Sequence, residues 1–264
     1  MNFKLTYLAV FMILALAGFT FSACEKEKTD TIPLETVNGE LIESIDYGNR
    51  ILLFQFKTDL LTYPITYTIR NEVSVEGSNI NIRLIDIEKD GHDDLNIAKG
   101  PATCLVNMGI LENGQYNVNL TAGQTKHNGT LDIGDALMSL DFAPTAGFTL
   151  LHDTLLRIPF GIVWGYLGYQ STSNEGLANS FIANLNSLGG QAIDLPDGNY
   201  GYFSISDSGD FVQAIDPNFN YHKSFIRNYQ GSASALNGQI QYYKTEHYNK
   251  VDLMIYWFWD GEEK

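Results

Sequence analysis

The segment from Gly114 to Phe142, GQYNVNLTAGQTKHNGTLDIGDALMSLDF, decides the fold class of this chain. Apolar and polar side chains alternate along it, so that Tyr116, Val118 and Leu120 share one side of a strand and asparagines occupy the other. A period of two is typical of a β-strand with one buried face. The same alternation begins near residue 50, and residues 50–142 therefore predict about seven short strands around a shared core.

Turn-forming residues separate these predicted strands at Glu76-Gly77-Ser78, Glu112-Asn113-Gly114 and His127-Asn128-Gly129. Asn-Gly is the strongest short signal for a hairpin turn. With the pattern Leu111-x-x-Gly114-x-Tyr116-x-Val118-x-Leu120, the segment resembles the immunoglobulin-like modules that are common in secreted proteins of the Bacteroidota phylum. The resemblance implies an immunoglobulin-like β-sandwich over residues 46–150.

The pattern changes after residue 150, where we predict a domain boundary and an α+β domain over residues 151–264. The apolar run from Leu155 to Tyr169 predicts a strand buried on both faces. A helix over about residues 173–188 follows, with a capping box at Thr172-x-x-Glu175 and a stop at Gly189-Gly190. Further strands are predicted at Asn199–Ile205, Ser224–Tyr229, Gln239–Thr245 and Val251–Trp259. The predicted fold class is thus mainly β and α+β, with one clear helix on a β-sheet.

Residues 1–23 have the anatomy of an export signal, with Lys4 before the apolar stretch Leu5–Phe19. The sequence Phe21-Ser22-Ala23-Cys24 resembles the lipobox of Bacteroidota lipoproteins, in which a signal peptidase cuts before a diacylated cysteine. The resemblance implies a mature chain that begins at Cys24, carries acyl groups such as palmitate, and is anchored in the outer membrane facing the cell exterior. An uncleaved N-terminal anchor helix is the alternative.

The charged residues after the cysteine predict an acidic, solvated tether over residues 24–45. Asp30-Thr31-Ile32 lies in this tether, and Asp153-Thr154-Leu155 lies at the predicted domain boundary. Both resemble the sequon of the O-glycosylation system of Bacteroidota. The resemblance implies that Thr31 and Thr154 are glycan acceptors.

The chain has 16 Lys and Arg against 31 Asp and Glu, which gives a net charge of −15. Because this charge repels phosphate backbones, nucleic acid is excluded as the expected partner. The chain has two cysteines, so lipidation of Cys24 leaves Cys104 without a disulfide partner. The apolar neighbours of Cys104 predict a buried, inert thiol. Without a CxxC motif or a Cys/His cluster, the sequence does not predict a zinc site.

One acidic segment predicts a calcium site. In Asp86–Leu95, oxygen-bearing side chains lie at Asp86, Glu88, Asp90 and Asp94, and Gly91 permits a sharp turn. This spacing resembles the calcium loops of EF-hand-like and integrin-type repeat proteins, since a hard cation requires six or more oxygen ligands. Ile97 stands where an EF-hand has a glutamate, and a hairpin turn at Asp90-Gly91 is the alternative. Apart from Ca²⁺, the sequence predicts no cofactor.

Aromatic residues near the C-terminus predict a ligand platform, with Tyr242, Tyr256, Trp257 and Trp259 as its members. Aromatic faces stack on sugar rings, although core packing explains the same residues. The sequence contains no Gly-x-Ser-x-Gly, Walker or Gly-x-Gly-x-x-Gly motif, so we expect a protein that is not an enzyme. The expected function is binding or adhesion to a glycan, a peptide or a partner protein. The alternatives are a structural or accessory subunit of a surface assembly, either fimbria-like or part of import or secretion machinery, and a hydrolase without a linear motif.

Replacing the lipidated cysteine tests the anchor. We expect Cys24→Ala to abolish lipidation, so that the chain is released from the membrane or retained as a precursor with its signal attached. Membrane fractionation and the mass of the product measure this. Unchanged membrane attachment and an unchanged mass in the variant would contradict the lipoprotein interpretation.

Overall fold

A computed structural model of the chain describes residues 31–46, 49–59, 63–89, 98–143 and 146–258. Over these residues the fold is mainly β, with 54% strand and two α-helices, which confirms the predicted fold class at this level. In this part of the chain, no helix is long and apolar enough to cross a membrane.

The strands in chain order are β1 (Thr31–Pro33), β2 (Val37–Asp46), β3 (Asn49–Thr58), β4 (Tyr63–Pro64), β5 (Thr68–Glu76), β6 (Asn79–Glu88), β7 (Lys99–Gly100), β8 (Thr103–Gly109), β9 (Gly114–Ala122), β10 (Thr125–Ile133), β11 (Leu137–Phe142), β12 (Phe148–Leu150), β13 (Thr154–Leu156), β14 (Ile162–Tyr169), β15 (Gly190–Gln191), β16 (Gly198–Asn199), β17 (Phe203–Ile205), β18 (Phe211–Gln213), β19 (Tyr221–Tyr229) and β20 (Asp252–Trp257). The helices are α1 (Glu175–Ser187) and α2 (Ala233–Glu246).

Eleven strands form one large, mixed sheet that curls into a half-barrel. The strand order is β12-β2-β3-β8-β5-β6-β9-β10-β11-β13, and β1 pairs with β6 beside this path. Most neighbours are antiparallel, but β6 and β9 pair in parallel over six residues each. A separate pair, β4 and β7, forms a small two-stranded sheet.

Alternate residues of these strands fill the inside of the curl. Phe54, Phe56, Ile80, Ile82 and Leu84 are all buried there, as the period-two pattern predicts. Each such side chain contributes about 1.5–3 kcal/mol relative to leaving it exposed to water. The alternation of the sequence therefore identifies the inner face of the sheet.

Phe148 closes the half-barrel. The end strands β12 and β13 are consecutive in the chain, so residues 148–156 run from one end of the sheet to the other. The ring of Phe148 lies 6.4 Å from that of Phe54 and 5.1 Å from that of Phe142, between centroids. Gly39 leaves room for it, since a Cβ at that position would lie 2.7 Å from the Phe148 ring. One aromatic side chain thus contacts strands from both ends of the sheet.

The immunoglobulin-like sandwich expected over residues 46–150 is not clearly shown. Such a sandwich has two antiparallel sheets packed face to face, whereas these strands follow one continuous path with a parallel pair in the middle. The alternation of side chains indicates which face of a strand is buried, but it does not indicate which strands are neighbours. The same pattern is therefore compatible with a curled sheet.

The predicted tether is too long. Of its residues, 31–33 form β1 and 37–45 belong to β2, where Val37 and Leu41 are buried in the core. Glu43 is buried on the same side of β2 as these apolar residues, whereas Glu40 is half-buried on the other side. A glutamate at a buried position interrupts the apolar alternation, so the sequence did not indicate a strand. Residues 24–30 lie outside the described part of the chain.

The predicted turns differ in outcome. Gly77, with φ of +58°, lies in the hairpin turn between β5 and β6, as expected. His127-Asn128-Gly129 lies inside β10 instead, and the turn between β9 and β10 is at Gly123, also with φ of +58°. Glu112-Asn113 precedes β9 but is not a hairpin turn, because β8 and β9 are not paired.

The second half contains a four-stranded sheet with the order β15-β19-β14-β20, and α1 and α2 pack on one of its faces. All eight residues of β14 are buried, as predicted. Helix α1 confirms the helix predicted near residues 173–188, and Gly189, with φ of +114°, follows its end. The capping box does not form, because Ser171 and not Thr172 accepts the first backbone hydrogen bond. The face of the four-stranded sheet that points away from α1 and α2 is covered by β16, β17 and β18.

The strand predicted at Gln239–Thr245 is wrong, because these residues belong to α2. The hydroxyl of Ser232 caps this helix by accepting a hydrogen bond from the Ala235 N–H at 3.2 Å. Leu236 and Tyr243 then fall on its buried face. The short alternation Gln239-Ile240-Gln241 resembles a strand pattern, whereas the better signal was Ser232, the N-cap residue directly before the helix.

A buried ion-pair network joins the large sheet to the second half of the chain. The Glu43 carboxylate accepts hydrogen bonds from Arg50 and, at 2.7 and 3.0 Å, from Nη2 and Nε of Arg157. Arg50 also donates to the Ile158 carbonyl at 2.6 Å, and its guanidinium lies 4.3 Å from the centre of the Phe258 ring. Burial lowers the pKa of Arg50, and the Glu43 charge opposes this shift.

A domain boundary near residue 150 stays a prediction, although β13, at residues 154–156, belongs to the large sheet.

Two glutamates on β2 provide a matched test of this network. Glu43→Gln leaves two mostly buried guanidinium groups without their counter-charge, and we expect it to lower the free energy of unfolding by about 3 kcal/mol. Glu40→Gln removes a more exposed ion pair to Lys57, and we expect a loss below about 1 kcal/mol. Urea denaturation measures both variants. Equal losses would contradict the importance of the Glu43 network.

Candidate functional site

A polar surface covers the outside of four neighbouring strands, and we call it the amide face. It consists of Ser74 on β5, Asn79 and Asn81 on β6, Asn117 and Asn119 on β9, and Asn128 on β10. These side chains point away from the core because their neighbours in sequence, such as Ile80, Ile82 and Val118, point inward. All six residues are exposed.

The strand register brings these side chains together. The parallel pairing of β6 with β9 places Asn79 beside Asn117 and Asn81 beside Asn119. The hairpins on either side extend the contact between Asn81 and Asn119. Asn81 is opposite Ser74 on β5, and Asn119 is opposite Asn128 on β10. One row of polar side chains therefore crosses four strands.

Hydrogen bonds between the side chains order this surface. Nδ2 of Asn117 donates to Oδ1 of Asn79 at 3.1 Å, and Nδ2 of Asn119 donates to Oδ1 of Asn81 at 2.9 Å. Nδ2 of Asn81 donates in turn to Oγ of Ser74 at 3.3 Å. A primary amide has two N–H donors and an oxygen with two acceptor positions, so each asparagine keeps capacity for a ligand.

Two adjoining grooves run over the amide face, with volumes of about 510 and 580 Å³. Asn119 and Asn128 line both of them. Charged side chains also line the grooves. Glu72, Arg83 and Lys126 line one and Asp141 lines the other, and Arg83 forms an ion pair with Glu72 at 3.4 Å. The six residues of the amide face are themselves uncharged, although the chain as a whole is strongly acidic.

The predicted calcium ligands are only partly described. Asp86 and Glu88 lie in β6, an extended strand, and not in a loop that could wrap a cation. Both carboxylate oxygens of Asp86 accept hydrogen bonds from Arg70, at 2.6 and 2.9 Å. Asp90 and Asp94 lie outside the described residues. Within the described ranges, no three His, Cys, Asp or Glu residues are grouped as a metal site would require.

The predicted aromatic platform is not assembled. Tyr256 stacks on Trp164 on one face of the four-stranded sheet, with 5.5 Å between the ring centroids, whereas Trp257 contacts Tyr229 on the other face. Successive residues of a strand point to opposite faces, so Tyr256 and Trp257 cannot share a surface. Tyr242 lies on α2, and Trp259 lies outside the described residues.

The two predicted glycan acceptors are both exposed. Thr31 lies at the start of β1, and the hydroxyl of Thr154 donates a hydrogen bond to Oδ1 of Asp153 at 3.2 Å. Each is thus accessible to a modifying enzyme, and its glycosylation stays a prediction.

No sequence motif marks the amide face as a site. Asn117 and Asn119 are predicted only as the polar side of a strand whose other side is buried. A signal was present, because two separate strands each carry asparagine at positions i and i+2. Asparagine is depleted in strands, so its repetition on one face indicates a role other than strand formation.

No protein-family model, curated protein or solved structure matches this chain.

The reactivity of Cys104 tests the prediction of an inert thiol. Burial raises the pKa of this thiol to about 12, so very little thiolate is present at pH 8. We expect iodoacetamide to alkylate Cys104 in the folded chain at least about a hundredfold more slowly than in urea, by mass spectrometry. Asn184→Cys, at an exposed position on α1, provides a reactive control thiol. Equal rates at the two cysteines of the folded variant would show that Cys104 is accessible.

Proposed function

We propose that this chain is a lipid-anchored surface protein that binds a neutral glycan at the amide face. The observation that carries the proposal is the row of hydrogen-bonded amides across β5, β6, β9 and β10, lying beneath two adjoining grooves. The predicted lipid on Cys24 supports attachment to the membrane. Display on the outer face of the outer membrane is part of the proposal.

The chemistry of side-chain amides fits sugar hydroxyl groups. A hydroxyl both donates and accepts hydrogen bonds, and an asparagine amide offers both functions on one planar group. The bonds of Asn119 and Asn117 to their neighbours hold the amides in place before a ligand arrives. Preorganised groups lose less conformational freedom on binding, which favours affinity.

The charge distribution favours a neutral ligand over an anionic one. The six residues of the amide face carry no charge, and of the two cations that line the same groove, Arg83 and Lys126, Arg83 is paired with Glu72. The net charge of −15 repels polyanions over a longer range. Sugars without acidic groups need no cation at the site and are not repelled by the net charge.

The corrected tether limits how far the protein extends from the membrane. Because Thr31 lies in β1, at most seven peptide links separate Cys24 from the sheet, and a fully extended chain of this length reaches about 25 Å. Thr31 pairs with Glu88 at one end of β6 and Asn79 lies at the other end, so the amide face lies about 30 Å from this attachment point.

Substitution of the central amides tests the proposal. We expect the chain from residue 25 onward to bind a neutral oligosaccharide on a glycan array, and the Asn81→Ala/Asn119→Ala variant to bind it at least about tenfold more weakly in calorimetry. Asn184→Ala removes an exposed asparagine from α1 and should leave the affinity unchanged. Because the altered residues are exposed, the melting temperature should change little.

Four outcomes would contradict this proposal. One is a glycan that binds equally well to the double variant and to the control. Another is the capture of only acidic glycans, and the third is consumption of the glycan, which would favour the hydrolase. A peptide or partner protein captured in place of any glycan would assign the surface to a different ligand class.

A further inference from the structure

The strand register determines the direction in which the first groove of the amide face runs. Each side of this groove is a row of outward-facing residues, with one residue from each of β5, β6, β9 and β10. The first row, which we call the central row, consists of Ser74, Asn81, Asn119 and Asn128, and the second row consists of Glu72, Arg83, Thr121 and Lys126. Between the two rows, Ile82 and Leu120 have buried side chains, so their backbone forms the floor. The groove therefore crosses the four strands and does not follow any one of them.

The second groove runs in the same direction on the other side of the central row. Asn119 and Asn128 line both grooves. The far side of the second groove is again a row that the register aligns, with Asn79, Asn117, Thr130 and Asp141 as its members. The central row therefore lies between two grooves that both cross the strands.

The central row presents one polar side chain per strand. Neighbouring strands of a sheet lie about 4.8 Å apart, so the four members of the row span about 14 Å. Side-chain hydrogen bonds hold the row together on the outer side of the curl, because Asn119 donates to Asn81 at 2.9 Å and Asn81 donates to Ser74 at 3.3 Å. A ligand whose hydroxyl groups repeat at this interval can contact every member of the row.

An extended sugar chain repeats at this interval. When the bonds at C1 and C4 of each pyranose ring are both equatorial, the chain is extended, and each sugar residue lengthens it by close to one strand spacing. A 1,4-linked chain of glucose with an axial bond at C1 winds into a helix, so it turns away from the row. Rotation about the two bonds of each linkage lets the extended chain follow the convex outer side of the curl.

We propose that the amide face binds an extended, 1,4-linked chain of neutral sugars whose linkage bonds are all equatorial. The chain lies along the central row, across the strands, with one sugar residue on each of β5, β6, β9 and β10. Hydroxyl groups project from both edges of such a chain, and the central row has a groove along each side to receive them. This inference rests on the proposed function and adds to it the linkage, the direction and the number of sugar residues.

Calorimetry with hexasaccharides of different linkage tests the shape of the ligand. With the chain from residue 25 onward, we expect cellohexaose, mannohexaose or xylohexaose, which are extended, to bind at least about tenfold more tightly than maltohexaose, which is helical. In the series that binds, the affinity should rise at least about tenfold from the disaccharide to the tetrasaccharide. From the tetrasaccharide to the hexasaccharide it should change less than about twofold, because four strands provide four positions.

The two ends of the central row test the direction of the chain. Ser74 and Asn128 lie on the outermost of the four strands, so a sugar chain that followed β6 or β9 would not contact both of them. We expect Ser74→Ala/Asn128→Ala to weaken binding of the tetrasaccharide to about the affinity of the disaccharide. Ser180→Ala/Asn184→Ala removes the same two side-chain types from the exposed surface of α1 and should leave the affinity unchanged.

The outcomes separate this inference from the proposed function. Maltohexaose that binds as tightly as the extended sugars, and is lost in Asn81→Ala/Asn119→Ala, would overturn the extended chain while leaving a neutral glycan at the amide face. A disaccharide that binds as tightly as the tetrasaccharide, or unchanged binding in Ser74→Ala/Asn128→Ala, would overturn the placement of one sugar residue on each strand. Failure of every neutral glycan to bind would contradict the proposed function together with this inference.

Discussion

The parallel pairing of β6 with β9 is the constraint on which the amide face depends. Each of these strands belongs to an antiparallel hairpin, and their parallel contact fuses the two hairpins into one surface. Because the pairing is in register, asparagines that are 38 residues apart in sequence become hydrogen-bonded neighbours. A slip of one residue would turn the core residues Ile80 and Ile82 outward, so the hydrophobic core holds the register.

Two further features maintain this arrangement. Phe148 packs inside the curl against residues from both ends of the sheet, and the Glu43 network connects β2 and β3 to the segment that begins the second half. An aromatic contact tolerates small shifts, whereas a buried carboxylate bound by two guanidinium groups does not. The curl is therefore stabilised by packing, and its position against the second half is held by the Glu43 network together with the apolar contacts of Ile45 and Leu156.

Local patterns predicted single elements well and their assembly poorly. The alternation around Val118 and Leu120, the buried strand β14 and the helix ending before Gly189 were all correct. The prediction of which strands lie next to each other was wrong. A parallel pair such as β6 and β9 requires a long connection, which leaves no short-range signal in the sequence. The aromatic platform failed for a related reason, since Tyr256 and Trp257 are adjacent in sequence and point to opposite faces.

Signals from individual asparagine side chains would test most directly whether the amide face binds a neutral glycan. With ¹⁵N-labelled asparagine, the side-chain amide signals can be followed while maltohexaose, cellohexaose and mannohexaose are added in turn. We expect one of these neutral sugars to shift the side-chain signals of Asn79, Asn81, Asn117, Asn119 and Asn128 together and to leave that of Asn184 unchanged. A sugar that binds while these five signals stay in place, or that shifts asparagines elsewhere, would contradict it.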